Sequence, residues 1–263
     1  MSASDPILEN IKEQALKSSS QEPLLGNFFK SAVLDHQTLE SLLSFNLSRQ
    51  LPHSVVPSAD ISDIISMAFA AEPAIVGSIR LDIEATLERD AACDSYLTPI
   101  LYYKGFQALQ LYRVAHWLWL QDRKTLALFL QNQISETFAV DIHPAARVGA
   151  GIMIDHATGL VIGETAVVGD NVSILHSVTL GGSGAEVGDR HPKVGNGVMI
   201  SAGAKILGNI TIGDGVKIGA GSLVLESIPS HVTVAGVPAK IVGAPSEESP
   251  ALEMNQFFDQ QDS

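Results

Sequence analysis

Residues 194–224 read VGNGVMISAGAKILGNITIGDGVKIGAGSLV. Aliphatic side chains recur at every sixth position, at Val194, Ile200, Ile206, Ile212, Ile218 and Val224. A second set, offset by four, falls at Val198, Ala204, Ile210 and Val216. Small or turn-forming residues keep the same phase at Gly197, Gly203, Asn209, Gly215 and Gly221. A step of six suits neither a helix nor a simple alternating strand. It suits a short strand and a sharp turn, repeated, with the aliphatic residue pointing into a coil. One turn cannot bury its own apolar face, so the turns must stack. An ordinary glycine-rich antiparallel sheet does not explain six consecutive residues in phase.

The pattern extends upstream. Val148, Ile154 and Leu160 share the step; after a slip of two, Ile162, Val168, Ile174 and Leu180 continue it. Leu180 and Val194 are fourteen apart, read here as twelve plus two, and they bracket GGSGAEVGDRHP. Before Val140 the character changes. Only Gly26, Gly77 and Gly105, three of 22 glycines, lie there. Ile61, Ile64, Ile65, Ala68 and Phe69 share one helical face. Phe106–Leu120 is apolar on most sides and needs burial against several neighbours or another subunit. The expected division is a helical region over 1–139, a coil over 140–243 and an acidic, flexible tail over 244–263. Residues 1–23 and 246–263 are expected to be weakly ordered.

The 263 residues are 46% hydrophobic and 17% charged, ample for a core and unlike a disordered chain. The net charge of −13 argues against a general nucleic-acid binder, which needs clustered Lys and Arg. The one cysteine, Cys93, excludes an internal disulfide and a Cys-rich metal site. It suits a reducing compartment, and the cytoplasm is the expected location. The start MSASDPILENIKEQ lacks the pattern of a secretory signal. Arg113, His116 and the run 121–124 interrupt the most apolar stretch, so no membrane span is expected.

Several strings resemble the hexapeptide-repeat acyltransferases and, within them, the serine O-acetyltransferases. They are VDIHPAA (140–146), GIMIDHATG (151–159), VTLGG (178–182), GDRHPK (188–193) and AGVPAK (235–240). Glu88-Arg89-Asp90 and YKGFQALQ (103–110) add to them in the helical half. The resemblance implies an α+β chain: an N-terminal all-helical domain, then a left-handed parallel β-helix with three hexapeptides per coil. It implies acetyl transfer from acetyl-CoA to the hydroxyl of L-serine, the first step from serine toward cysteine. A serine hydroxyl is a poor nucleophile at neutral pH and needs a positioned base, a task suited to histidine.

By the resemblance, His156 is that base and Asp141 its paired carboxylate. At eighteen residues per coil, the two would lie on adjacent coils, three residues out of register. The acceptor needs a cation for its carboxylate and an anion for its ammonium. Arg190, a bidentate fork, and His191 match the former role; Asp90 and Asp155 match the latter. Ala91 follows Asp90 where the family most often has proline. For acetyl-CoA, Gly182, Ala202 and Gly203 permit close approach of the pantetheine arm, and Lys217 and Lys240 are candidates for its phosphates. His176 lies one coil above His156 once the slip is subtracted, and His143 reads as boundary structure. No metal is implied.

Two other acceptor chemistries stay open: a hexapeptide acetyltransferase acting on another hydroxyl, and a zinc hydrase resembling γ-type carbonic anhydrase. The latter family spaces two of its ligands five residues apart, and no two histidines here have that spacing. The resemblance further implies a homotrimer or a dimer of trimers, sites between neighbouring coils, and inhibition by L-cysteine. Many relatives insert a terminal isoleucine into O-acetylserine sulfhydrylase. This chain ends FFDQQDS, which makes that complex doubtful.

Overall fold

The computed structural model describes residues 5–51, 53–184 and 187–257. The first half is helical. It comprises α1 (Pro6–Gln21), the short α2 (Gly26–Phe29), α3 (Leu39–Arg49), α4 (Ser58–Ala71), α5 (Pro73–Arg89), α6 (Leu97–Tyr102), α7 (Lys104–Leu120) and α8 (Lys124–Phe138). Ile61, Ile65, Ala68 and Phe69 of α4 are buried, as their spacing requires, and Ile64 packs at the edge. The apolar α7 finds its neighbours within the chain, against α4, α5, α6 and α8 and the first strands of the coil.

Weak order was expected at the N-terminus, yet α1 is a formed helix. Asp5 caps it, accepting from the Ile7 and Leu8 amides, and Ile7, Leu8, Ile11 and Ala15 are buried. The Arg80 guanidinium pairs with Asp5 at 2.6 Å and holds its carboxyl below the usual range.

The second half is a three-sided parallel coil. One sheet stacks β1 (Val140–Ile142), β4 (Leu160–Ile162), β7 (Thr179–Gly181), β10 (Lys205–Leu207) and β13 (Leu223–Val224). The next stacks β2 (Arg147–Val148), β5 (Val167–Val168), β8 (Lys193–Val194) and β11 (Thr211–Ile212). The third stacks β3 (Met153–Ile154), β6 (Ser173–Ile174), β9 (Met199–Ile200), β12 (Lys217–Ile218) and β14 (Thr233–Gly236). The antiparallel β15 (Ala239–Gly243) closes the end. All six aliphatic residues of the defining repeat are buried inside.

The register explains both irregularities of the repeat. Thr179 pairs with Val161, a coil of eighteen residues, but Val140 pairs with Leu160, a coil of twenty. The two extra residues lie in the turn 155–159, because Met153 still pairs with Ser173. Val167 pairs with Lys193, a coil of 26. The interval from Leu180 to Val194 is therefore one step of six plus a loop of eight, which corrects the reading of twelve plus two. The described residues between β7 and β8 form no strand, so they supply no further repeat.

Corners of the coil require left-handed backbone. One vertical row places Gly159, Ser177, Gly203 and Gly221 at positive φ. On the row expected at Asn209, the left-handed residue is Gly208 instead, with φ of 97°.

The two halves are locked by a buried ion pair that sequence reasoning missed. Asp82 of α5 receives Arg113 of α7 at 2.7 Å, and its other oxygen accepts the Ile152 amide at 2.8 Å. Arg113 also donates to the Gly149 carbonyl at 2.7 Å. Burial pushes the Asp82 carboxyl up, and Arg113 and the Ile152 amide oppose that shift.

The tail departs from the flexible expectation over its described part. Helix α9 (Pro250–Glu253) lies on β9 and α5 with Ala251 buried. Ser173 Oγ donates to the Ala251 carbonyl at 2.8 Å. The terminal residues 258–263, where the sulfhydrylase argument rested, lie outside the described residues.

Candidate active site

The turn 155–159 carries the two residues that lengthen the first coil. His156 and Ala157 both take left-handed backbone, with φ of 55° and 58°. That conformation costs a non-glycine residue roughly 1–2 kcal/mol, so the surroundings must hold it. Two short hydrogen bonds do so from within: Ala157 N to Asp155 O at 2.6 Å and Thr158 N to His156 O at 2.7 Å. Helix α7 does so from outside. A Cβ on Gly105 would sit 2.3 Å from the Ile154 carbonyl oxygen, so only glycine lets the helix approach this closely. A lone glycine in a long helical stretch was the one sequence signal for this contact.

The consequence is a projecting imidazole. The His156 side chain is 77% exposed, its Nε2 lies 3.7 Å from Asp155 Oδ1, and its ring meets His176 edge-on at 6.0 Å between centroids. It forms one wall of a 420 Å³ cavity between the coil and the helices, lined also by Asp90, Tyr103, Lys104, Met153 and Asp155. Asp90 caps the end of α5 and accepts the Ala92 amide at 2.9 Å. Burial, with help from the Asp90 charge and hydrogen bond, pushes the Tyr103 phenol up to about 12. Tyr103 thus stands as a neutral phenol on the same cavity wall as Asp90. Two carboxylates and a histidine face one small cavity, an arrangement suited to an ammonium group beside a hydroxyl.

Asp141 does not meet His156 within the chain. Its Oδ1 accepts from Gln131 of α8 at 2.7 Å. The expected offset of three residues assumed an eighteen-residue coil. Asp141 lies in register with Val161, so the longer first coil sets His156 five residues out of register.

Arg190 and His191 occupy a different corner. The His191 ring is buried against the turn 163–166: Thr165 Oγ1 lies 2.9 Å from its Nδ1, and a Cβ on Gly163 would fall 2.0 Å from its Nε2. Burial, then the Arg190 charge, pushes this imidazole down. Arg190 pairs with Glu164 at 2.7 Å and donates to the Gly188 carbonyl at 3.0 Å. His143 lies near the same charges, also pushed down by burial. Strand β4 separates this corner from the turn 155–159. Four residues from Gly159 to Gly163 span about 13 Å at the usual strand rise. One chain therefore does not bring Arg190 and His191 to His156.

The donor candidates divide too. Ala202 and Gly203 form the turn above His176, where Gly203 N donates to the His176 carbonyl at 2.9 Å; Gly221 N in turn donates to Ala202 O at 2.8 Å. Small residues therefore leave an open edge running up the coil from His156. Gly182 lies at the other corner, against Arg190. Lys240 is exposed on β15, beside a 480 Å³ groove lined by Ile228, Pro238 and Ala239. Lys217 corrects its expectation: it is 1% exposed and its ammonium donates to the Phe257 carbonyl, which leaves it no access to a phosphate. Among the described residues, no three His, Cys, Asp or Glu side chains converge as a metal site would require. Among them, too, no single helix is long and apolar enough to cross a membrane.

Comparison with known proteins shows the family. Residues 7–111 match the family model described as "Serine acetyltransferase, N-terminal", and residues 191–226 match "Bacterial transferase hexapeptide (six repeats)". The serine acetyltransferase of Escherichia coli strain K12 is 54% identical over 252 residues, 96% of this chain and 92% of that protein. A solved serine acetyltransferase in complex with cysteine superposes with a TM-score of 0.94 at 51% identity, covering 96% of this chain and 98% of that one. The Brucella abortus strain S19 serine acetyltransferase in complex with coenzyme A gives 0.90 at 49% identity, covering 92% and 96%. The coil is the left-handed β-helix of hexapeptide repeats. The chain therefore belongs to the serine acetyltransferase family of transferases.

Proposed function

We propose that the protein moves the acetyl group of acetyl-CoA onto the hydroxyl of L-serine, with His156 as general base. The imidazole takes the hydroxyl proton as the oxygen attacks the thioester carbonyl. The carbon–sulfur bond then breaks, and the departing thiolate takes the proton back, leaving O-acetyl-L-serine and CoA. The attack is direct, without an acyl-enzyme, because the acceptor supplies its own nucleophile. The observation that carries this reading is the projecting His156 on the wall of the cavity that also holds Asp90 and Asp155. Those carboxylates suit the serine ammonium.

Arg190 and His191 suit the serine carboxylate, and Asp141 lies on the sheet between the two corners. In this reading the loop corner of one copy closes against the His156 corner of its neighbour in a trimer, and two trimers can join through the helices. Ala202, Gly203 and the exposed Lys240 suit the pantetheine arm and phosphates of the donor. The relative solved with coenzyme A supports that donor, and the one solved with cysteine supports L-cysteine as a competitor with the same amino-acid frame.

The test is a free-thiol assay with acetyl-CoA and L-serine, comparing the intact protein with His156→Ala. Loss of a general base lowers turnover by roughly 10²–10⁴-fold. The circular dichroism should be unchanged, because the ring is exposed. Retained turnover in His156→Ala sinks the assignment, and a burst of acetylated protein in rapid quench sinks direct attack.

A further inference from the structure

The strained turn bearing His156 is gripped by a side chain outside the coil. Lys104, the first residue of α7, is half-buried on the cavity wall, and its Nζ lies 2.5 Å from Thr158 Oγ1. An ammonium only donates, so the threonine oxygen accepts from it and keeps its own proton to give. The His156 carbonyl, 3.4 Å from Thr158 Oγ1, can accept it. The Thr158 amide already donates to the same carbonyl. Lys104, Thr158 and the backbone of His156 thus form a continuous chain of donors.

Two further observations say that the grip serves the turn. Asp90 and Asp155 line the same cavity, yet among the described residues Lys104 pairs with neither and is bonded to Thr158 instead. One coil above, Lys205 donates to the carbonyl of Ser177, another left-handed residue on the same row of corners. Lysine is used twice on this edge to hold a turn whose left-handed backbone falls on residues other than glycine, His156 and Ala157 in one and Ser177 in the other.

We propose that Lys104 is a positioning residue for the acetyl transfer: through Thr158 it fixes the left-handed His156 turn, and with it the direction of the imidazole. The proposal rests on the reading of His156 as the base. Small misplacements of a reacting group are costly, and Lys104→Met is expected to lower kcat about 10-fold. The KM for acetyl-CoA should stay unchanged, since the donor edge is untouched. Thr158→Val should reproduce the loss. The double variant should be no slower than the slower single, because both act through one contact. Lys104→Arg should recover part of the rate.

Wild-type kcat in Lys104→Met overturns the proposal, as do losses that multiply in the double variant. Should Lys104→Met melt at a lower temperature, the comparison of Thr158→Val with Lys104→Arg/Thr158→Val applies the same criterion. A His156→Ala control separates the two readings. If it is inactive while Lys104→Met is unimpaired, only the positioning role fails; if it turns over normally, the base assignment fails and takes the positioning role with it.

Discussion

The corner at 155–159 and the corner at 163–166 belong to the same rung of the coil and bound the same strand, β4, yet they treat charge in opposite ways. At the first, an imidazole projects into a cavity with two carboxylates nearby, held by strained backbone and a helix end. At the second, the His191 imidazole is buried against Thr165 and the Arg190 guanidinium is already engaged by Glu164. In the proposed function the first serves proton transfer, and the second, its side chains already held by neighbours, takes the acceptor's carboxylate. A proton-transfer group needs freedom from permanent partners, whereas an anion clamp gains from being fixed beforehand. The coil supplies both by inserting two residues at one corner and a loop at the other.

The largest expected effect tests whether the corners of different copies meet. His156→Ala and Arg190→Ala should each lose activity at low serine. Co-expressed in equal amounts, they should recover about a quarter of wild-type activity if each site draws its two corners from neighbouring copies of a closed ring. No recovery, with mixed assemblies present, would place the site within one copy and break the comparison.

The next effect concerns the lock that holds the His156 corner against the helices. Asp82→Ala leaves Arg113 buried without its partner, a change worth about 3–5 kcal/mol. Urea unfolding should register this as a lower midpoint. A midpoint unchanged from wild type would show that the helices need no such anchor.

The smallest effect sharpens the difference in burial. His143 and His191 are pushed below the ordinary histidine value, so the folded chain binds fewer protons than the unfolded chain just below pH ~6.5. Their contribution to stability is full above that pH and is lost as pH falls toward their folded values. The Glu164 carboxyl is held down by Arg190, so its own contribution is lost only at lower pH. Melting temperature should therefore decline from neutral pH toward pH ~5, and His191→Asn should flatten the slope. An identical slope would mean that His191 titrates as if exposed.

Local chemistry alone carried the period of six, the row of buried aliphatics and the switch from helix to coil near residue 140. A stacked repeat writes its packing into every turn, because each turn sees only its neighbours. The histidine, the acidic pair at Asp90 and Asp155 and the loop with Arg190 were legible through the motifs around them. Long-range placement was not. That Asp141 turns to Gln131, that Lys217 is buried under the tail, and that Asp82 and Arg113 join the halves all depend on residues far apart in the chain. The same holds for Gly105 and Lys104 against the His156 turn: a helix end and a coil corner separated by some fifty residues meet only once both halves have packed. The composition of the two corners was therefore written in the chain, but their separation along one strand was settled by how many residues each turn of the coil holds.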